Sequence, residues 1–298
     1  VTKKATPYTD ADVSVSGGDK TVRYFVLFGY MGQRGIYDTP TNDTLANAGI
    51  DRYNIRTNLD MNLFGFLEAK VDVGGRIEDR RYPNRAAGDL WNDLAKYPGS
   101  VYPVRNPDGT WTAAAVYTGY ANMAEGNSYR DNLKFDMKNT TVVTIDLIKD
   151  VLVAKADYSY LFNHSRQNDV ISQVTYSNGP GIQISYPASS SMRTTETQIE
   201  YHSGNANLSF TPRLPEDHSL NVMAGWNIEH KRARNTRMGR DGFIVDGKPN
   251  YSLMNGIDYV LEDANSYDWG FVGIFYRASY AYKGKYLAEL SGRYDGSS

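Results

Sequence analysis

Apolar and charged residues alternate along two neighbouring segments near the start of the chain. In residues 52–62 the apolar side chains alternate with arginine, asparagine and aspartate, and residues 67–78 repeat the pattern with glutamate, lysine, aspartate and arginine. Because successive side chains of a strand point to opposite faces, each segment predicts a strand with one apolar and one charged face. Charges this dense over about ten residues are typical of strands that cross a membrane around a water-filled lumen. The pattern therefore predicts part of a membrane β-barrel.

The charged side chains of these strands are predicted to face the lumen. They are Arg52, Arg56, Asp60, Glu68, Lys70, Asp72, Arg76 and Glu78, and the last strand adds Arg293 and Asp295. An Arg or Lys that faces lipid at mid-bilayer costs about 2–4 kcal/mol, so the shared side of these charges sets the orientation of the sheet. The opposite side carries Tyr158, Tyr160, Tyr276, Tyr280 and Tyr282. These tyrosines are predicted to form aromatic girdles at the membrane interfaces.

Short and long connections alternate between the predicted strands. About ten strands are predicted, near residues 12–16, 21–33, 51–62, 66–79, 138–147, 151–165, 198–212, 219–233, 267–282 and 286–295. Tight turns join them in pairs, and the connections at residues 34–50, 80–137, 166–197 and 234–266 are long. This rhythm is typical of an antiparallel outer-membrane barrel with short periplasmic turns and long extracellular loops. The outer strands would leave unpaired edges in lipid, so these strands are expected to belong to a larger closed barrel.

The 80–137 connection is predicted to contain one short amphipathic helix. Within residues 86–96, Leu90, Trp91 and Leu94 recur at helical spacing. We interpret this apolar stripe as part of the loop core rather than as a binding surface.

Composition narrows the class of protein. The 298 residues carry a formal net charge of -2 and form no basic run, which argues against a nucleic-acid partner. The mean hydropathy of -0.54 and the short apolar runs argue against transmembrane helices. Cysteine is absent, which removes disulfides and thiolate chemistry. The first residues lack the apolar core of a signal peptide and the last ones end within a strand, so we expect a fragment of a longer exported protein.

Catalytic and metal sites find little support. The four histidines are dispersed, and no carboxylate pair can be placed at catalytic spacing from the sequence. Residues 106–109 and 295–298 resemble pieces of a calcium loop, but the first is equally compatible with a turn and the second lacks the final glutamate. We therefore predict no catalytic residue, no metal and no cofactor, and no enzymatic activity.

Four segments resemble one family of transporters. Residues 14–30 with 35–37, and residues 52–60, are similar to barrel strands of SusC-type (SusC/RagA) TonB-dependent outer-membrane transporters of the Bacteroidetes. Residues 279–298 resemble the most recognisable barrel segment of that family, and residues 102–111 resemble its proline-rich external loop. The resemblance implies that residues 1–298 are a partial barrel domain, from early to middle strands of a barrel of about 22 strands. The plug domain and the final strands would lie outside this chain.

The resemblance also implies partners and a role. A SusD-like surface lipoprotein would cover the barrel, the TonB complex would energise it through the missing N-terminal part, and outer-membrane lipid would surround it. The implied function is import of glycans or oligopeptides across the bacterial outer membrane. A soluble or surface-attached carbohydrate-binding or adhesin protein is the alternative, and a glycan hydrolase ranks last. The cargo, the oligomeric state and calcium binding by a loop stay open.

Candidate substrate contacts lie in the aromatic 80–137 connection. They are Trp91, Tyr97, Tyr102, Trp111, Tyr117 and Tyr120. Rings set among amides and carboxylates would suit sugar stacking or peptide capture, whereas the alternative is that they pack the loop or contact the lid protein. The charges predicted to face the lumen also have two interpretations: they contact substrate, or they hold the plug through ion pairs. We favour ion pairs with the plug, because most charges on the wall of a plugged barrel meet the plug.

Overall fold

The chain forms one antiparallel β-sheet in which ten strands follow each other in sequence order. The computed structural model describes residues 2–38, 47–99, 101–125, 127–245, 248–262 and 266–298. The sheet strands are β1 (Tyr8–Gly18), β2 (Val22–Arg34), β3 (Gly49–Leu63), β4 (Leu67–Pro83), β5 (Tyr129–Ile148), β6 (Leu152–Ile171), β9 (Ser191–Phe210), β10 (His218–Asp241), β12 (Tyr267–Tyr282) and β13 (Tyr286–Ser297). The predicted all-β fold and the ten predicted strands are confirmed.

Smaller elements lie in the long connections. A hairpin of β7 (Val174–Gly179) and β8 (Ile182–Tyr186) forms a separate two-stranded sheet, and β11 (Asp258–Glu262) pairs with β10. The helices are α1 (Ala87–Lys96), α2 (Ala113–Tyr117) and α3 (Tyr120–Glu125), with a 3-10 turn at Tyr251–Leu253. The helix predicted at residues 86–96 is confirmed, although the side chain of Leu94 lies outside the described residues. No helix in the described part of the chain is long and apolar enough to cross a membrane.

Tight turns join the strands at one end of the sheet. Residues 64–66, 149–151 and 283–285 each connect two strands directly. Phe64, Asp150 and Lys283 adopt positive φ angles of 59°, 61° and 53°, and Gly284 follows Lys283 with φ 60°. Gly65 likewise follows Phe64 with φ 73°. Two consecutive positive φ angles match the twist of the flanking strands, which is why the hairpins at residues 64–66 and 283–285 close within three residues. The long connections all leave from the opposite end.

One face of the sheet is apolar and exposed. The strand register places Val143, Ala156, Ala206, Trp226 and Ile274 side by side on five neighbouring strands. Trp226 is 50% exposed and Ile274 is 61% exposed. Directly opposed residues of antiparallel strands share a face, so this row and its neighbours form a continuous apolar surface, here called the apolar face. The five predicted girdle tyrosines lie on it as well.

The other face, here called the polar face, is concave. Residues next to the apolar row, such as Asp157, Asn205, Asn227 and Asp295, lie opposite each other on this side. Two concavities of about 1020 and 890 Å³ open along it, both lined largely by charged and polar side chains. The sheet therefore curves around its polar face, as a segment of a barrel wall does.

Several strands are longer than predicted. β5 begins at Tyr129 rather than near residue 138, β9 begins at Ser191 rather than near 198, and β10 continues to Asp241. In these added parts of the strands, polar residues such as Glu196 and Arg166 lie opposite each other on the side that carries the apolar face. The apolar alternation stops there, but the hydrogen-bonded ladder continues because each strand still has a neighbour.

The long connections shorten accordingly. The predicted 80–137 connection contracts to residues 84–128, and the predicted 166–197 connection contains the β7–β8 hairpin, which was not predicted. The predicted 34–50 and 234–266 connections lie partly outside the described residues, at 39–46, 246–247 and 263–265.

Candidate functional site

The 84–128 connection and the β7–β8 hairpin pack into a small domain of their own, here called the loop domain. Its core combines Trp111, Ala115 and Val116 with Val174 and Tyr176 of β7. Helix α2 begins where the side chain of Thr112 accepts a hydrogen bond from the Ala115 amide at 3.3 Å, which satisfies one free donor of the first turn. The hairpin and the connection are thereby held together by apolar contact.

A second, smaller core ties the loop domain to the chain that follows β2. Leu90 of α1 is buried against Tyr37 and Met123, with Tyr120 packed beside them. The apolar stripe predicted on the helix therefore contributes to the loop core through Leu90. Trp91 points away and is 45% exposed.

The six predicted aromatic residues do not form one surface. Trp111 is buried, its indole N–H donates to Glu125 Oε1 at 2.7 Å, and Arg105 lies 3.5 Å from its ring centre. Tyr120 packs edge-on against Trp111. Trp111 and Tyr120 therefore pack the loop together, which is the alternative to substrate contact given above for these aromatic residues.

Four of the six rings are accessible. Tyr97 and Tyr102 pair edge-to-face, with ring centres 5.2 Å apart, and both are exposed. Tyr117 contacts Tyr186 at 5.0 Å, and its hydroxyl lies 2.9 Å from that of Tyr176. Trp91 stands alone on α1. Three of the four accessible rings therefore belong to two separate clusters, and Trp91 belongs to neither.

A cavity of about 250 Å³, here called the loop cavity, opens between the loop domain and the ends of the strands. Its lining combines Tyr117 and Tyr186 with the polar side chains of Asn84, Arg85 and Asn122. Asn84 donates to the Val170 carbonyl at 3.1 Å, Asn122 donates to the Ser172 carbonyl at 3.2 Å, and Arg85 pairs with Asp93. These bonds hold the wall in place. Sequence analysis missed Tyr186, Asn84 and Arg85, because they converge only through the packing of the loop domain.

The turn at residues 106–109 is stabilised by the chain itself. Gly109 N–H donates to the Asn106 carbonyl at 2.9 Å, and Asp108 accepts from the hydroxyl and amide of Thr110 at 2.6 and 3.0 Å. No cluster of three or more potential metal ligands occurs within the described ranges.

This turn is expected to respond to acid. The hydrogen bonds from Thr110, first that of its hydroxyl, hold the pKa of Asp108 below its ordinary value. A lowered pKa stabilises the turn fully above the ordinary value of about 3.9, and the contribution is lost as pH falls through the lowered value. The chemical shift of the Thr110 amide should therefore titrate with a midpoint below about 3.9. Asp108→Asn should abolish that titration, and an unchanged curve would rule out the assignment.

The ten predicted lumen charges all lie on the polar face. The register pairs Arg52 with Glu78 and Asp60 with Lys70, and the row of Asp60 and Lys70 continues across the sheet to Asp295. Arg56, Glu68, Asp72, Arg76 and Arg293 occupy the same side in neighbouring rows. The structure thus collects them on one concave surface. Whether they meet a plug or a substrate stays a prediction.

Several of these charges are paired within the wall. The buried Glu78 carboxylate accepts from Arg52 at 2.6 Å and from Arg80 at 2.9 Å. Arg293 contacts Asp295 at 2.6 Å and donates to Asn227 at 2.7 Å. Arg76 pairs with Asp136, a residue that was not predicted.

Positive and negative charges are distributed unevenly over the polar face. One half of the polar face extends from the row of Gly74 to the end that bears the long connections. The cations of this half are Arg52, Arg56, Arg76, Arg80, Arg130, Lys134, Lys138, Arg193, Lys231 and Arg237. The anions of this half are Asp10, Asp12, Glu78, Asp136, Asp169 and Asp241. Towards the tight turns the balance reverses, with Asp60, Glu68, Asp72, Asp157, Glu229, Glu289 and Asp295 among the anions. The end of the wall that bears the long connections therefore favours anionic ligands.

No protein-family model matches the chain. Two curated proteins of Formosa agariphila are similar to nearly all of it. TonB-dependent receptor P26 is 26% identical over 303 residues, which cover 98% of this chain and 28% of the relative. TonB-dependent receptor P3 is 21% identical over 301 residues, which cover 97% of this chain and 28% of the relative. The chain thus spans less than a third of the length of these relatives.

Solved structures of RagAB share the fold. The structure of the RagAB peptide transporter matches with a TM-score of 0.66 and 18% identity over 98% of this chain and 32% of that chain. The RagAB peptide importer in its closed-closed state matches with a TM-score of 0.65 and the same coverage. The sheet described above is therefore a partial β-barrel.

Proposed function

Because the chain is a partial SusC/RagA-like TonB-dependent receptor, we propose that it builds part of the wall and the extracellular loops of an outer-membrane nutrient importer. The observation that carries this proposal is the pairing of an exposed apolar face with a concave charged face across ten strands. An exposed apolar surface of this extent requires lipid or protein to cover it. A lipid-facing exterior and a hydrated interior account for both faces at once.

The proposal assigns residues 1–298 to the barrel domain, with the plug domain and the remaining strands supplied by the rest of the protein. The tight turns would lie in the periplasm and the loop domain outside the cell. A SusD-like surface lipoprotein would cover the loop domain, and the TonB complex would act through the plug. The cargo would be a glycan or an oligopeptide, and the chain would carry no catalytic step.

The direct test is purification of the intact receptor from outer membranes in detergent, with peptide mapping of every chain that co-purifies. We expect the receptor in the outer-membrane fraction, together with a lipoprotein. A protein that stays monodisperse without detergent would contradict the proposal and favour a soluble carbohydrate-binding module, because the apolar face would then be covered by protein.

Substrate capture is proposed for the Tyr97–Tyr102 pair. These rings are exposed and packed edge-to-face, and stacking on such rings contributes about 0.5–1.5 kcal/mol each. The double variant Tyr97→Ala/Tyr102→Ala should therefore bind the co-purified cargo about 5-fold to 160-fold more weakly, measured by titration calorimetry.

The matched control is Phe64→Ala/Phe66→Ala. These rings also form an exposed pair, with centres 5.9 Å apart, but they lie at a tight turn at the other end of the sheet. This control should bind cargo as the parent protein does. Equal losses in both variants would point to a general defect rather than to a capture site.

A further inference from the structure

A glycine interrupts one charged row of the polar face. Gly74 of β4 lies directly between Arg56 of β3 and Lys138 of β5. No atom comes within 4 Å of the position that a Cβ on Gly74 would occupy. The row therefore contains a gap one side chain wide, with a long cationic side chain on each side, and it opens into the concavity of about 890 Å³.

The two cations beside the gap have no ion-pair partner among the described residues. The nearest carboxylates are already engaged, since Asp72 accepts from Asn58, and Asp136 accepts from Arg76 and from Asn163, the latter at 2.6 Å. The concavity holds three cationic and two anionic side chains, so one positive charge is uncompensated. Both Arg56 and Lys138 are exposed to the concavity.

The spacing suits a single anionic group. Two strand separations place the backbones of Arg56 and Lys138 about 9.6 Å apart, and both side chains are long enough to converge above Gly74. Guanidinium and ammonium groups recognise carboxylates through charge-assisted hydrogen bonds. The gap keeps its width because β3 and β5 are hydrogen-bonded to β4 on its two sides.

We propose that Arg56, Gly74 and Lys138 form an anion-binding notch in the barrel wall that accepts a carboxylate. The proposal rests on the import function proposed above and narrows it to acidic cargo. The cationic end of the polar face would draw such cargo inwards, and the notch would bind one of its carboxylates. An acidic side chain of the plug offers the same chemistry, so the test separates these two sources.

The test compares the intact receptor with two notch variants of different kinds. Arg56→Gln/Lys138→Gln removes the charges and keeps the side-chain length. Gly74→Val keeps the charges and fills the gap, and it should fold because its added atoms meet open space. Lys155→Gln is the matched control, an inward lysine nearer the tight turns, without an ion-pair partner in the described part of the chain.

Binding is measured with two matched probe pairs, hexagalacturonate against maltohexaose, and a glutamate hexapeptide against its glutamine counterpart. We expect both notch variants to lose at least about tenfold in affinity for an acidic probe, with the neutral probe and the control unchanged. If a plug carboxylate fills the notch instead, both variants should lower the melting temperature and speed proteolysis of the plug, with probe selectivity unchanged.

Parent-like binding and parent-like plug stability in both notch variants would overturn the proposal. The import function proposed above is tested independently of the notch. If the parent receptor is absent from the outer-membrane fraction, the import function fails before any notch variant is made.

Discussion

Replacing Gly225 by valine in the intact receptor is expected to abolish folded protein in the outer membrane. Gly225 lies on the polar face of β10, between Asn207 of β9 and Phe275 of β12. A Cβ at this position would stand 2.5 Å from the Ala206 carbonyl oxygen and 2.7 Å from Phe275 Cζ. The carbonyl belongs to the ladder and cannot move away, so we expect a cost of about 3 kcal/mol, the upper end of the usual cost of overpacking, in a central strand.

The measurement is the yield of heat-modifiable, protease-resistant receptor in outer-membrane fractions. Gly74→Val is the internal control, because it adds the same atoms to the same face of the sheet on β4, where no atom lies within 4 Å of the added Cβ. Normal yield of the Gly225 variant would show that β9 and β12 separate more easily than the structure indicates.

Trp111→Ala should unfold the loop domain and leave the sheet intact. The ring is buried in the largest apolar cluster of the described residues, and it joins the connection to the β7–β8 hairpin. Truncating a buried tryptophan costs about 3–5 kcal/mol, and the variant would also lose the hydrogen bond from the indole to Glu125. Since the sheet is held by its own ladders, the loss should stay local.

Hydrogen exchange with mass spectrometry would locate the effect. Protection should fall across residues 101–125 and 174–186 and persist in β5 and β6. Trp91→Ala is the comparison, because that ring is 45% exposed and should change stability by no more than about 0.5 kcal/mol. Loss of protection throughout the sheet would falsify the view that the loop domain folds as a separate unit.

Local pattern predicted most of the sheet. A strand of a membrane barrel exposes alternate residues to lipid and to water, so apolar and polar residues have to alternate between the tight turns. Each tight turn needs residues that tolerate positive φ. This alternation predicted the ten strands and the side on which Arg52 or Asp72 lies. The helix at residues 86–96 was predicted in the same local way, from apolar residues at helical spacing. The strand ends at Tyr129 and Ser191 could not be predicted, because there both faces meet water and the alternation disappears.

The sequence by itself determined the alternating faces, the rhythm of short and long connections, and hence the barrel. Only the tertiary structure decided that Trp111 is buried while Tyr97 and Tyr102 are exposed, because burial depends on a hairpin more than sixty residues further along the chain. It likewise decided that Gly74 lies between Arg56 and Lys138, since strand register brings together residues that no local pattern connects. Periodicity is a property of neighbouring residues, whereas a site depends on which distant segments the sheet places side by side.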